Sequence, residues 1–163
     1  FQPNACTTKP PKCNRSLKHI CLINFFVSET NITVHGIHPE DVQDAPGFKH
    51  VYPYMLKFID QLPVVAHNAA FDMNVLHQSL KSHNIDTPSL TYFCSYQLAK
   101  RTINAYRYGL KHLMNHYHLD FHGHHDALND AKACAMITYR LLKHYDDLQS
   151  MLSIYGKNLK DKG

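Results

Sequence analysis

Two aspartates stand where helical periodicity calls for apolar residues. In "VVAHNAAFDMNVL", Val64 to Leu76, the first residues read as a short buried strand and the rest as a helix. Projected at about 100° per residue, Ala69, Met73, Leu76 and Leu80 share one face, and Asp72 falls at its edge. In the last long helical pattern Ala127, Cys134, Ile137 and Leu141 form the core stripe, and Asp130 falls in its middle. An ionised carboxylate facing a core costs several kcal/mol unless something compensates it. The compensating group is a basic side chain, a backbone nest or a metal ion. Each acid taken singly also fits a plainer role, a first-turn carboxylate favoured by the helix dipole. His125 lies just before the second of these helices, five residues ahead of Asp130. An imidazole placed by a helix start near carboxylates is a candidate general base, and otherwise an ordinary surface histidine.

The elements that must position these groups alternate in type. Apolar residues at Phe48, Val51, Met55, Phe58 and Leu62 predict an amphipathic helix, which Pro63 ends. Val64 to Ala66 is then a strand, and Asn68 is a good N-cap for a helix over Ala69–Ser82. Leu90–Ser95 reads as another strand, followed by a short helix to about Arg101. A further short helix turns Leu110, Leu113 and Met114 inward, and a long one runs from Asp126 to about Tyr145. Upstream, Pro39 opens a helical turn that Asp44-Ala-Pro-Gly breaks, and Ile20–Val27 is an apolar strand or buried loop. Residues 1–19 follow no helical or strand period and read as an atypical N-terminal segment. Residues 20–146 form the domain, and 147–163 a polar tail expected to fray. The alternation predicts an α/β fold, yet two clear strands are too few for a sheet that must cover several helices.

Bulk composition narrows the classes. At 163 residues, 44% apolar and 18% charged, the chain suits one globular domain with its own core. No apolar run approaches the roughly 20 residues of a membrane span, and no secretory signal is visible. The chain begins with Phe1, which suggests a fragment. Five cysteines without a CxxC pair, with Cys6, Cys13 and Cys21 too widely spaced for a zinc knuckle, point to a reducing, cytoplasmic setting. Cys94 and Cys134 sit in apolar runs and are expected as buried thiols. The net charge of +4 tolerates a polyanion without demanding one. The basic run Lys9, Lys12, Arg15, Lys18 reads first as a solvated tail.

In order and spacing, these motifs resemble those of the DEDDh 3′–5′ exonucleases. "AHNAAFD", with Asn68, Phe71 and Asp72, is similar to the family's second motif, and "HHDALNDA", with His125 and Asp130, to its third. "VHGIHPEDVQDAP", "YFCSYQLAKR" and "YGLKHLMNHY" also look like their counterparts, so the likeness runs from about Leu22 to Leu142. Its flavour is that of the proofreading subunit of bacterial DNA polymerase III, with RNase T more distant. The resemblance implies a ribonuclease H-like fold, a five-stranded mixed sheet flanked by helices. It implies two-metal hydrolysis of a terminal phosphodiester, releasing nucleoside monophosphates. Asp72 and Asp130 would be ligands to Mg²⁺ or Mn²⁺, His125 the base, and His67, Asn68 and Phe71 substrate-binding residues. The implied partners are single-stranded or 3′-ended DNA or RNA and a DNA polymerase.

The chain departs from that pattern at its start. The family uses four acids, the first two an Asp-x-Glu pair on the first strand, and here no Asp or Glu precedes Glu29. "VSETN" echoes the pair, but Val27 stands at the Asp position and His35-Gly36 follows too soon for two intervening strands. The N-terminal strands are therefore expected to be absent or replaced by residues 1–19, through truncation, a frame error upstream or true loss. Losing one preorganised group commonly costs about 10²–10³ in rate, so this chain as it stands is expected to be inactive. Two alternatives are a non-catalytic nucleic-acid or polymerase-binding module and, less favoured, zinc binding through His122, His124 and His125.

Overall fold

The computed structural model describes residues 32–33, 36–120 and 127–162. A single turn, α1 (Pro39–Val42), begins at the anticipated Pro39, and α2 (Phe48–Ile59) follows. Then come β1 (Val64–Ala66), α3 (Ala69–Ser82), β2 (Thr91–Cys94) and α4 (Ser95–Thr102). The chain continues through α5 (Leu110–His116), α6 (Ala127–Leu142), α7 (Leu148–Tyr155), β3 (Lys157–Asn158) and a final 3₁₀ turn (Leu159–Lys162). The α/β expectation holds. The apolar run Ile20–Val27 and the whole of segment 1–19 lie outside the described residues.

Among the described residues the sheet has three strands in the order β1-β2-β3. β1 and β2 are parallel, with Val64 opposite Tyr92, Val65 opposite Phe93 and Ala66 opposite Cys94, and α3 forms the crossover between them. β3 runs antiparallel to β2, pairing Asn158 with Thr91 and Lys157 with Tyr92. Successive strand residues point to opposite faces. Tyr92 and Phe93 are both buried, so β2 is covered on both sides. Phe93 joins Leu98, Leu113, Met114, Ile137 and Leu141 in one core, and Tyr92 joins Phe48, Tyr52, Met73, Leu80 and Leu90 in the other. The result is a thin mixed sheet between two helical layers.

Four sequence expectations are corrected. The polar tail does not fray: Asp147 Oδ1 accepts the Ser150 amide at 2.6 Å while the Asp147 amide donates to Ser150 Oγ at 3.2 Å, a capping box that starts α7. Met151 and Leu159 are 0% exposed, and the Leu159 amide donates to the Leu90 carbonyl at 2.9 Å. The segment is polar on average, but Leu148, Met151, Leu152 and Tyr155 recur at helical spacing, and that local stripe outweighs the mean. The apolar stripe of α2 is buried only at its start, since Phe58 is 88% and Leu62 68% exposed. Ala127 is exposed, because α6 enters the core only after its first turn. Asn68 does stand at the N-cap of α3, but its backbone is left-handed (φ 69°, ψ 45°) and its side chain makes no capping bond. Its value there is tolerance of that turn. No helix among the described residues is long and apolar enough to cross a membrane.

Candidate active site

Because β1 and β2 run parallel and in register, their carboxyl ends stop side by side, Ala66 opposite Cys94. The next residue on each chain is polar. His67 Nδ1 and Ser95 Oγ share a hydrogen bond of 2.9 Å, and Ser95 Oγ donates to the Ala66 carbonyl at 3.4 Å. Ser95 Oγ also lies 3.4 Å from Cys134 Sγ on α6. One buried hydroxyl thus ties two strand ends to the long helix. Ligand sites in open α/β sheets form outside the carboxyl ends of strands, and both aspartates are brought to this place.

Asp130 is one turn before Cys134 on α6, on the same face. Its Oδ1 is buried and has no hydrogen-bond partner. Its negative charge reaches His67, where it favours the protonated ring. Asp72 sits in the first turn of α3, and its charge reaches Cys134. The two carboxylates therefore act on neighbouring members of one hydrogen-bonded cluster. The Asp72 side chain is open to solvent on one flank, yet partial burial holds its carboxyl above the usual carboxylate range, with its own backbone amide offsetting only part of this. No basic residue contributes to that balance. Of the three compensations considered for a core-facing acid, no Lys or Arg partner is supplied among the described residues at Asp72 or at the Asp130 Oδ1 atom.

Burial pushes the His67 imidazole below its ordinary value, while the Tyr108 backbone and Asp130 pull the other way. Nε2 is buried and has no hydrogen-bond partner. The His67 ring packs edge-on against Tyr96 at 5.7 Å, and Tyr96 against Tyr108 at 6.3 Å. Burial also pushes the Cys134 thiol up, with the Ser95 contact opposing, so it is an inert packing group. Cys134 is buried as expected, whereas Cys94 is only half-buried.

The other sequence candidates divide. Phe71, beside Asp72, is 68% exposed, free to meet a flat ligand. Asn68 is exposed and lines a separate cavity of about 570 Å³ with Ala69, Cys94, Gln97, Arg101 and Tyr155, on whose wall neither aspartate lies. His67 is half-buried, with Nδ1 bonded to Ser95 Oγ. His125, with His122 and His124, lies outside the described residues. Ser95 was missed by sequence reasoning, because its importance depends on the β1–β2 register and nothing local reports that.

Aspartate oxygens are the hard donors that Mg²⁺ or Mn²⁺ prefers. An orphaned, desolvated Oδ1 on Asp130 fits a cation ligand. Yet no group of three or more His, Cys, Asp or Glu is placed to hold a metal among the described residues. The donors fit the ion but make up half a cage.

The exonuclease family model of the RNase T type matches residues 23–138. The chain belongs to the DEDDh exonuclease family. This exonuclease-family chain is 28% identical over 144 residues to the DNA polymerase III subunit epsilon of Buchnera aphidicola subsp. Baizongia pistaciae, a match covering 83% of the chain and 56% of that protein. It is 30% identical over 114 residues to the PolC-type DNA polymerase III of Caldanaerobacter subterraneus subsp. tengcongensis, covering 69% of the chain and 8% of that protein. The chain thus spans little over half of the first relative and a small part of the second. Among solved structures, exonuclease X in complex with 5′ overhanging duplex DNA superposes with a TM-score of 0.63 at 23% identity, over 77% of this chain and 71% of that one. At such identity the likeness speaks for the fold, the ribonuclease H-like arrangement that the motifs implied.

Proposed function

We propose that the chain derives from a 3′–5′ exonuclease acting on single-stranded or 3′-ended DNA or RNA, in the cytoplasm and in association with a DNA polymerase. We propose further that residues 1–163 by themselves do not complete its catalytic set. What supports the first part is that Asp72, in the first turn of the helix that follows β1, and the buried, unpartnered Asp130 Oδ1, one turn before Cys134, both lie towards the carboxyl ends of two parallel strands, inside the family match. Asp72 and Asp130 would hold Mg²⁺ or Mn²⁺, which when bound stabilises charge on the attacking and leaving oxygens of a phosphodiester. Phe71, at the mouth of the site, would lie against the terminal base, and Asn68 would hold the turn that sets Asp72 in place. His67, locked by Ser95, would keep β1 and α3 in position. His125 would accept a proton from the attacking water. Supporting the second part, the sequence holds no Asp-x-Glu pair, and Val27 stands two residues before Glu29 inside the family match.

With Mn²⁺ and a 3′-labelled oligonucleotide, the chain should release no mononucleotide above background. Release that Asp72→Ala abolishes would overturn the incompleteness and leave the nuclease chemistry standing. Independently of turnover, Mn²⁺ should raise the melting temperature of the chain, and Asp130→Asn should remove that rise. A second reading, a non-catalytic module that keeps the binding cleft, is favoured if oligonucleotides bind while Mn²⁺ has no effect on melting.

A further inference from the structure

Between Asp86 and Asp120 the chain carries four basic residues, Lys100, Arg101, Arg107 and Lys111, and no acidic one. This stretch spans β2, α4, the connecting loop and α5. Lys100, Arg107 and Lys111 are all exposed, so their charge is presented to solvent. At the tip of the loop Tyr106 is 93% exposed, and the Arg107 guanidinium lies over its ring, 5.4 Å from the centroid. A bare aromatic ring beside a guanidinium is the combination on which unpaired bases stack while the cation meets the adjoining phosphate.

The loop does not hang free of the site. The Tyr108 hydroxyl donates to the Ile103 carbonyl at 3.2 Å and accepts the Ala105 amide at 3.3 Å, closing residues 103–108 into a compact turn. The Tyr108 ring packs on Tyr96, Tyr96 on His67, and His67 feels Asp130. Lys100 Nζ lies 5.7 Å from the Tyr96 centroid. A row of rings therefore runs from the aspartate end of the sheet to the basic loop.

We propose that this strip, with Tyr106 as its stacking platform and Lys100, Arg107 and Lys111 as its phosphate contacts, docks the single strand that leads to the aspartates. The proposal rests on the nuclease reading and deepens it by assigning where the polynucleotide lies. Stacking needs an unpaired base, which selects a single strand over a blunt duplex. The sugar is not specified by these side chains, so DNA and RNA are arms of the test.

The test uses the full chain in EDTA, with labelled oligo-dT, oligo-rU and a blunt duplex. Binding to either single strand should weaken roughly tenfold in Tyr106→Ala and be kept in Tyr106→Phe. The pair Arg107→Ala, Lys111→Ala should lower the salt slope of binding by about 1.4, roughly 0.7 for each lost phosphate contact. Tyr139→Ala is the control, since that ring is also exposed, with Lys143 Nζ 5.0 Å from its centroid, but lies on the solvent side of α6. The chain has no tryptophan, so Tyr106→Trp adds one reporter that a stacked base should quench. Single-strand binding with unchanged affinity, slope and Trp emission would overturn the strip alone and leave the nuclease reading intact. Equal quenching by blunt duplex would also overturn it. Failure of the parent chain to bind either oligonucleotide would overturn both.

Discussion

His67 shows how one residue joins structure to chemistry. Its ring is held by the Ser95 hydroxyl, and burial lowers its pKa below that of the unfolded chain. Below the unfolded value, near 6.5, the unfolded chain takes up a proton that the native ring resists, so stability from this residue falls as pH drops towards the folded value. Denaturant midpoints measured from pH 7.5 to 5 should decline less in His67→Gln than in the parent. Parallel declines would show that the ring is not desolvated as described. The raised pKa of Asp72 has the opposite sense, since the carboxyl holds its proton to a higher pH than an ordinary one. Cation binding must displace that proton, so Mn²⁺ affinity should drop earlier on acidification than for an unperturbed aspartate. The sequence marked both aspartates because a charge on an apolar stripe is visible in the pattern. It could not mark Ser95, a common residue made important by its neighbours across the sheet.

At the scale of elements, α7 and β3 carry the main surprise. Met151 is fully buried against Phe93, Leu141 and their neighbours, although the tail around it reads as solvated. Met151→Ala should cost about 2–5 kcal/mol of stability, the usual range for truncating a buried large side chain. A frayed tail would lose almost nothing, so a change under about 0.5 kcal/mol, ordinary for a surface site, would remove α7 from the core. Helices α3 and α6 form where their periodicity indicated, with Ala127 the one member of the expected α6 stripe that is exposed. Each delivers its acid in its first turn, where the dipole also favours negative charge. The dipole explains why such acids are tolerated there. It does not explain why Asp130 Oδ1 is buried without a partner.

For the whole molecule, β2 is the shared wall of both cores, through Phe93 on one side and Tyr92 on the other. The two helical layers should therefore unfold together. Far-ultraviolet ellipticity and tyrosine emission should trace one coincident transition, which Met151→Ala and Tyr52→Ala shift alike. Two separated transitions would mean that the layers are independent. Three strands are present among the described residues, and β1 pairs with β2 on one side only.

Local chemistry sufficed for α2, β1, α3, β2 and α6, and for the two acids and their family likeness, because periods of 3.6 and 2 and short motifs are written within a few consecutive residues. Tertiary structure alone decided what those acids face. The in-register ends of β1 and β2, the Ser95 hydroxyl reaching α6, and the return of the tail to pair with β2 are contacts between residues far apart in the chain. Their energies depend on alignment and burial, which no single stretch of sequence contains.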